Sequence, residues 1–166
     1  MRRPFVLLPL ILATAAFSEC GPRAASMHID GPELVRGVAE GDSLRCPVTL
    51  TARLGTNGGG GAAEWTRTEI FIIDENSGTT VAHHTEDAAA TATHWSDARV
   101  ERGATATGTF SVLVPAPARV EMTFWYRMVA AGSLVDAQLP GMASFAFRCI
   151  PPDDAAATNR TRSAIR

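Results

Sequence analysis

The chain lacks most of the residue patterns that indicate a specific chemistry. It has no lysine, so its 15 basic residues are all arginines, and 17 acidic residues bring the formal net charge to −2. The arginines form no basic cluster, which removes the usual electrostatic basis for binding nucleic acid. The sequence also contains no G-x-S-x-G or H-E-x-x-H motif and no phosphate-binding glycine loop. We therefore expect a protein that is not an enzyme and uses no cofactor.

Long apolar runs are scarce too, and the most prominent one lies at the start of the chain. There Arg2 and Arg3 precede an apolar segment from Phe5 to Phe17. This segment is shorter than the roughly 20 residues that a helix needs to cross a bilayer core about 30 Å thick. A basic start followed by a short apolar segment is instead typical of a secretory signal peptide. The missing lysine and abundant alanine indicate a GC-rich bacterial genome. We expect residues 1–19 to direct export to a bacterial cell envelope.

The end of this segment allows two kinds of processing. The residues before Glu19 fit the small-x-small rule of signal peptidase, which predicts a mature chain that begins at Glu19. Alternatively, Cys20 resembles the lipidated cysteine of bacterial lipoproteins, and the stretch after it resembles their polar tether. That resemblance implies contact with the membrane only through a lipid anchor. The sequence leaves both alternatives open, a lipid-anchored envelope protein or a free periplasmic or secreted one.

The other two cysteines, Cys46 and Cys149, lie far apart in the sequence. In an oxidising compartment such a pair predicts a disulfide. A bridge that closes a loop of about 100 residues contributes roughly 4 to 5 kcal/mol in the chain-entropy model. The alternative is two buried thiols.

Alternation of apolar and polar residues is the strongest structural signal. Such a period of two predicts half-buried strands, and it occurs over residues 44–54, 105–114, 119–129 and 144–149. Residues 70–73 are apolar on both faces and predict a central strand. No stretch has the spacing of a long amphipathic helix, and the alanine-rich residues 86–98 are expected to form a loop with at most one helical turn.

Short strands separated by glycine, proline and asparagine turns predict an all-β domain. We expect an antiparallel β-sandwich of about seven strands over residues 33–150. A flexible tether (20–32) precedes it, and a disordered tail (151–166) follows it.

The stretch from Val38 to Leu54 carries a family resemblance. A Gly-Asp turn followed by the inward-facing Cys46 resembles the first sheet-forming strand of an immunoglobulin-like domain. The resemblance implies an immunoglobulin-like sandwich over residues 33–149. It is limited to architecture, because no cysteine follows Tyr126 at the family's spacing and a Cys46–Cys149 bridge differs from that of antibody domains.

Three histidines, His83, His84 and His94, are candidate ligands for copper or zinc, since imidazole suits both metals. Adjacent residues of a strand point to opposite faces, so His83 and His84 can share one ion only if their segment is a loop. We therefore favour solvated histidines and no metal site. A copper- or zinc-binding periplasmic protein remains an alternative.

Two tryptophans, Trp65 and Trp125, are predicted to lie on the sheet face opposite the main apolar rows. If exposed side by side, they form a contact surface for protein or carbohydrate, because tryptophan is enriched at binding hot spots. The alternative is that a second sheet or a loop buries them.

The functional expectation is a non-enzymatic binding or structural module of the envelope, with a protein or carbohydrate as its partner. The remaining alternative is a secreted hydrolase with an unrecognised site, which needs paired carboxylates or an activated serine in a pocket.

Overall fold

The computed structural model describes residues 25–57, 61–115, 117–129 and 140–152. The predicted signal peptide, Cys20 and residues 153–166 of the predicted tail lie outside the described residues. Ten strands and one short helix occur in the described part. In chain order they are β1 (Met27–Asp30), β2 (Leu34–Arg36), β3 (Val38–Glu40), β4 (Ser43–Leu54), β5 (Ala62–Asp74), β6 (Thr80–Asp87), α1 (Ala88–His94), β7 (Arg99–Glu101), β8 (Thr105–Pro115), β9 (Ala118–Val129) and β10 (Pro140–Ile150). No helix in these residues is long and apolar enough to cross a membrane.

The first sheet is built around β4. Strand β8 pairs with it along one side, antiparallel from Ser43 opposite Pro115 to Arg53 opposite Thr105. On the other side β1 pairs with the end of β4 and β3 with its beginning. Pro47 lies between those two stretches, where neither short strand reaches. A proline is tolerated there because no partner strand needs its missing N–H.

The second sheet has the order β2-β10-β9-β5-β6, and β7 pairs with the first residues of β5. All of its pairings are antiparallel except that of β10 with β2. The two sheets enclose one core, made of the inward-facing rows of β4, β8, β5, β9 and β10. The predicted all-β antiparallel sandwich is thus confirmed, with the parallel pairing of β10 and β2 as the exception. The strand count exceeds seven because β1, β2, β3 and β7 are too short to show a period.

The Cys46–Cys149 disulfide is present and joins the two sheets. It links β4 of the first sheet to β10 of the second, with the two Cα atoms 6.1 Å apart and a sequence separation of 103. Both cysteines are fully buried. The bridge therefore fixes the distance between the two layers at one end of the core.

The folded domain begins earlier than predicted. Strand β1 lies inside the segment expected to be a flexible tether (20–32), and its Met27 and Ile29 are buried. The Tyr126 hydroxyl accepts a hydrogen bond from Met27 N at 3.1 Å and donates one to Ala25 O at 3.0 Å. Four alternating residues beside a glycine and a proline are too few to stand out in the sequence.

Residues 86–98, expected to be mostly loop, contain the end of β6 and the helix α1. Asp87 caps this helix, because its carboxylate accepts a hydrogen bond from Ala90 N at 2.9 Å. The run of alanines supplies high helix propensity. With only Thr91 buried, the helix has no apolar stripe that the sequence could reveal.

Candidate binding surface on the second sheet

The two tryptophans that the sequence grouped together lie on opposite faces of the second sheet. Trp65 is in the core and only 4% exposed. Its ring stacks on Trp95 with centroids 4.5 Å apart, and its Nε1 donates to Asp97 O at 3.2 Å. The expectation that Trp65 belongs to a binding surface is therefore wrong.

A β-bulge explains this orientation. The pairing of β5 with β9 shifts register between Trp65 and Arg67, so one extra residue is inserted into β5. An extra residue reverses which side chains face inward on either side of it. Trp65 and Ile70 both point into the core, although simple alternation assigns them to opposite faces.

Trp125 lies on the outer side of the sheet, as predicted, and is half-buried. In the register of the sheet it is flanked by Arg67 of β5 and Met142 of β10. The Arg67 guanidinium carbon is 4.8 Å from the centre of the Trp125 ring, which is a cation–π contact. Met142 is 60% exposed. These three side chains form one row across the sheet.

We call this surface the outer face and define it by outward-facing residues of β5, β9 and β10. They are Arg67, Glu69, Phe71, Arg119, Glu121, Thr123, Trp125, Met142, Ser144 and Arg148. Between β9 and β10 it has a shallow depression of about 290 Å³ beside Thr123 and Ser144. Their hydroxyl oxygens are 3.3 Å apart.

The indole N–H of Trp125 is an unusual feature of this face. The atom is buried, and it has no hydrogen-bond partner among the described residues. A buried donor without an acceptor costs free energy, of the order of 1 to 3 kcal/mol.

Charges on and beside the outer face are paired. Arg67 Nη2 is 3.2 Å from Glu69 Oε1. Two further arginine–glutamate pairs have an Nη2 to carboxylate oxygen distance of 2.8 Å, namely Arg119 with Glu121 and Arg127 with Glu64. These pairs leave the row around Trp125 with no excess of either sign. Such a surface favours a partner that is neutral at the point of contact.

One charged pair at the end of the outer face perturbs a pKa. The Arg148 guanidinium donates two hydrogen bonds to the Glu75 carboxylate, one of them from Nη2 to Oε2 at 2.7 Å. This hydrogen bonding lowers the pKa of Glu75 below its ordinary value. Partial burial opposes the shift, and the charges of Arg148 and Arg119 support it.

The candidate metal ligands do not meet. His83 stacks on Phe71 of the outer face, with ring centroids 4.3 Å apart. His84 follows it in β6 and pairs with Ile70, on the opposite side of the sheet. His94 ends α1 and lies against Phe110 of β8. In the part of the chain that the structure describes, no three His, Cys, Asp or Glu side chains are grouped to hold a metal ion.

His94 instead connects the two sheets. Its Nε2 is 3.1 Å from the Glu86 carboxylate in β6, and its Nδ1 is 3.2 Å from the Thr109 carbonyl oxygen in β8. The ring thus bridges an edge strand of the second sheet to an edge strand of the first. Sequence reasoning missed this role, because it depends on the placement of α1.

Arg67 and Met142 were also missed as members of the candidate binding surface. Both flank Trp125 only through the registers of β5 and β10 with β9. A sequence shows strands but not which residues stand opposite one another. The bulge in β5 adds a further shift that alternation alone does not reveal.

Comparison with known proteins supports the fold and no more. No protein-family model matches the chain, and no curated protein matches it in sequence. A Northeast Structural Genomics Consortium target solved by X-ray crystallography has a similar fold, with a TM-score of 0.55 at 16% identity over 78% of this chain and 89% of that one. The CARDB domain of a Pyrococcus furiosus protein, solved in complex with di-metal ions, aligns over 78% of this chain and 96% of its own at 13% identity, with a TM-score of only 0.32.

Proposed function

We propose that this chain is a non-enzymatic binding module of a bacterial cell envelope, an immunoglobulin-like sandwich that contacts its partner through the outer face. One observation supports this most directly. Trp125 lies beneath Arg67 and beside the exposed Met142, in one row across the sheet. Tryptophan, arginine and methionine are enriched in protein interfaces, and tryptophan and arginine dominate their binding energy.

The shape of the surface favours a protein as the partner. The depression beside Thr123 and Ser144 is about 290 Å³, at the lower limit of the roughly 300 to 1,000 Å³ of small-molecule sites. A nearly flat, charge-neutral face with an aromatic centre fits another protein surface. Carbohydrate is the other class of partner, and the test distinguishes it from protein.

The proposed location rests on the sequence. Export follows from the basic start and the short apolar segment before Glu19, and retention in the envelope follows if Cys20 is lipidated. Mass spectrometry of the native N-terminus distinguishes the two forms. A diacylated Cys20 supports the anchor, and an unmodified chain that begins at Glu19 supports a free periplasmic or secreted protein.

Site-specific photo-crosslinking in the producing cells tests the binding surface. A photo-reactive amino acid replaces Met142 in one strain and Val38, which is 63% exposed on the first sheet, in a control strain. We expect a discrete crosslinked protein only from position 142. A second strain that also carries Trp125→Ala should lose that product while the domain keeps its far-UV circular dichroism spectrum.

Equal crosslinking from positions 142 and 38, or a product that persists with Trp125→Ala, contradicts the proposal. Crosslinking of glycan in place of protein assigns the outer face to carbohydrate and contradicts the protein partner. The identity of the partner comes from mass spectrometry of the product that depends on Trp125.

A further inference from the structure

Strand β8 forms an open edge of the first sheet. It pairs with β4 along its whole length on one side. On its other side, Trp95 and Ser96 cover only the first half, through the bridge at Gly108 and two hydrogen bonds to Thr107. The second half of β8 has no strand beside it in the described part of the chain.

The hydrogen bonds at the covered end show which backbone groups point to the open side. Thr107 N donates to Ser96 Oγ at 3.1 Å, Thr107 O accepts from Ser96 N at 2.7 Å, and Thr109 O lies 3.2 Å from His94 Nδ1. In an antiparallel strand the N–H and C=O of one residue point to the same side, and successive residues alternate. The N–H and C=O of Ser111 and Leu113 therefore also point away from β4.

These groups have no backbone partner among the described residues. Natural proteins block such edges with charged side chains, prolines or bulges. The stretch from Thr109 to Val114 has no charged residue and no proline, and its ladder with β4 is continuous. Leu113 is 46% exposed on this strand.

The other long edges carry at least one of these protective features. Strand β6 ends with Glu86 and Asp87. Strand β10 begins with Pro140, and its last residues pair with β2. The open half of β8 has only Pro115 at its end, and from Thr109 to Val114 it has none of these features.

We infer that β8 pairs antiparallel with β8 of a second copy of this chain, about a twofold axis at Val112. Ser111 of each copy then stands opposite Leu113 of the other. Because both residues turn their backbone groups outward, the two pairs form four backbone hydrogen bonds. The two first sheets become one continuous sheet.

The next pair in this register marks the end of the stretch that can pair. Thr109 of one copy stands opposite Pro115 of the other. Proline has no N–H to donate, and the Thr109 carbonyl that lies opposite already has His94 Nδ1 as its neighbour. Trp95 also bridges Gly108, so the outer side of Thr109 is already covered and takes no part in the pairing. The open stretch is centred on Val112, and the twofold pairing provides partners for the outward groups of both Ser111 and Leu113.

The side chains also fit a second copy. Since β8 is uncharged, the pairing places no like charges opposite each other, which is a destabilising arrangement in a sheet. Leu113 of each copy lies diagonally across from the other on the solvent-facing side of the sheet, and each is partly shielded from water by the other. A cavity of about 290 Å³ beside Ser111, Val112 and Leu113, which opens between β8 and β6, is then closed off by the partner strand.

Analytical ultracentrifugation of the exported full chain, from about 1 µM to 1 mM, tests this inference. We expect the wild type to form a dimer. Leu113→Lys should raise the dimer dissociation constant at least 10-fold, because two positive charges then approach across the axis. Thr105→Lys is the matched control, since it adds the same charge to the same strand outside the paired stretch and should leave the dimer unchanged.

The register is tested by mixing two single variants, Ser111→Cys and Leu113→Cys. The mixture should form an intermolecular disulfide readily, whereas each variant alone should form much less. A wild type that stays monomeric at 1 mM overturns the inference, even if it captures an extended peptide of another protein. Equal effects of Leu113→Lys and Thr105→Lys also overturn it, provided that circular dichroism shows both variants folded.

Discussion

Trp65 and Trp95 stack with their ring centroids 4.5 Å apart and their planes 13° from parallel. Trp65 belongs to β5 of the second sheet, and Trp95 follows α1 and forms a bridge with Gly108 of the first sheet. Phe110 and Phe124 meet the Trp95 ring edge-on, one from each sheet. This aromatic cluster therefore holds α1 and both layers together on the side of the core away from the disulfide strands.

Truncation of Trp65 should strongly destabilise the domain. Trp65→Ala removes a buried ring from the cluster, and a change of this kind typically costs about 3 to 5 kcal/mol. Trp125→Ala removes the same side chain from the outer face, where it is half-exposed, and should cost much less. Urea denaturation followed by circular dichroism measures both. Equal losses for the two variants contradict the assignment of Trp65 to the core and Trp125 to the surface.

The two tryptophans show which side-chain orientations could be predicted from the sequence and which could not. Alternation correctly placed Trp125 on the outer side, because β9 is regular from end to end. It misplaced Trp65, because the bulge in β5 leaves no mark in the residue pattern. Any surface that spans several strands depends on such register details, so Arg67 and Met142 could not be found in advance.

Gly108 should not tolerate even a methyl group. A Cβ built on it lies 2.6 Å from Trp95 Cε3 and 2.8 Å from Cδ2. Both atoms belong to a rigid ring within the cluster, so Gly108→Ala should destabilise the domain by about 1 to 3 kcal/mol, as overpacking usually does.

A double-mutant cycle with Trp95→Leu checks the cause of this loss. If the ring produces the clash, Gly108→Ala should cost clearly less when Trp95 is already leucine. If Gly108→Ala loses the same stability with Trp95 and with Leu at position 95, the strand backbone and not the Trp95 ring causes the loss.

The Cys46–Cys149 bridge should supply a large part of the stability. For a closed loop of about 100 residues the chain-entropy model gives roughly 4 to 5 kcal/mol. The variant Cys46→Ala/Cys149→Ala should lose most of this amount in urea denaturation, and reduction of the wild type should reproduce the loss. Thiol titration of the denatured, unreduced protein is the control. Two or more free thiols contradict the bridge.

Prediction of the fold succeeded where the strands are long and failed where they are short. The eleven or more residues of β4, β8 and β9 repeat their alternation often enough to be recognised. Strands β1, β2, β3 and β7 have three or four residues, and tertiary pairing alone defines them. The disulfide was predictable because the expected export and the cysteine count indicate it without any knowledge of geometry.

The Glu75–Arg148 pair should make stability depend on pH in the acidic range. Hydrogen bonds from Arg148 lower the pKa of Glu75 from its ordinary value of 4.5. A carboxyl group whose pKa is lower in the folded state stabilises the fold fully above the unfolded-state pKa. This contribution is lost as the pH falls from about 5 through the lowered value, because the unfolded state then binds the proton more tightly.

Melting temperatures of the wild type and Glu75→Gln between pH 7 and pH 3 measure this effect. The wild type should melt at a higher temperature than Glu75→Gln near pH 7, and this difference should disappear below about pH 5. Arg148→Met removes the cause of the pKa shift, so it should flatten the pH dependence of the melting temperature to a similar extent. The double variant Glu75→Gln/Arg148→Met should flatten it little further. The carboxyl groups of Glu40 and Asp74, whose pKa values are lowered by hydrogen bonds from Arg45 and from the Ser77 backbone, remain in all variants and cancel in the comparison. Parallel pH profiles for the wild type and Glu75→Gln contradict the prediction.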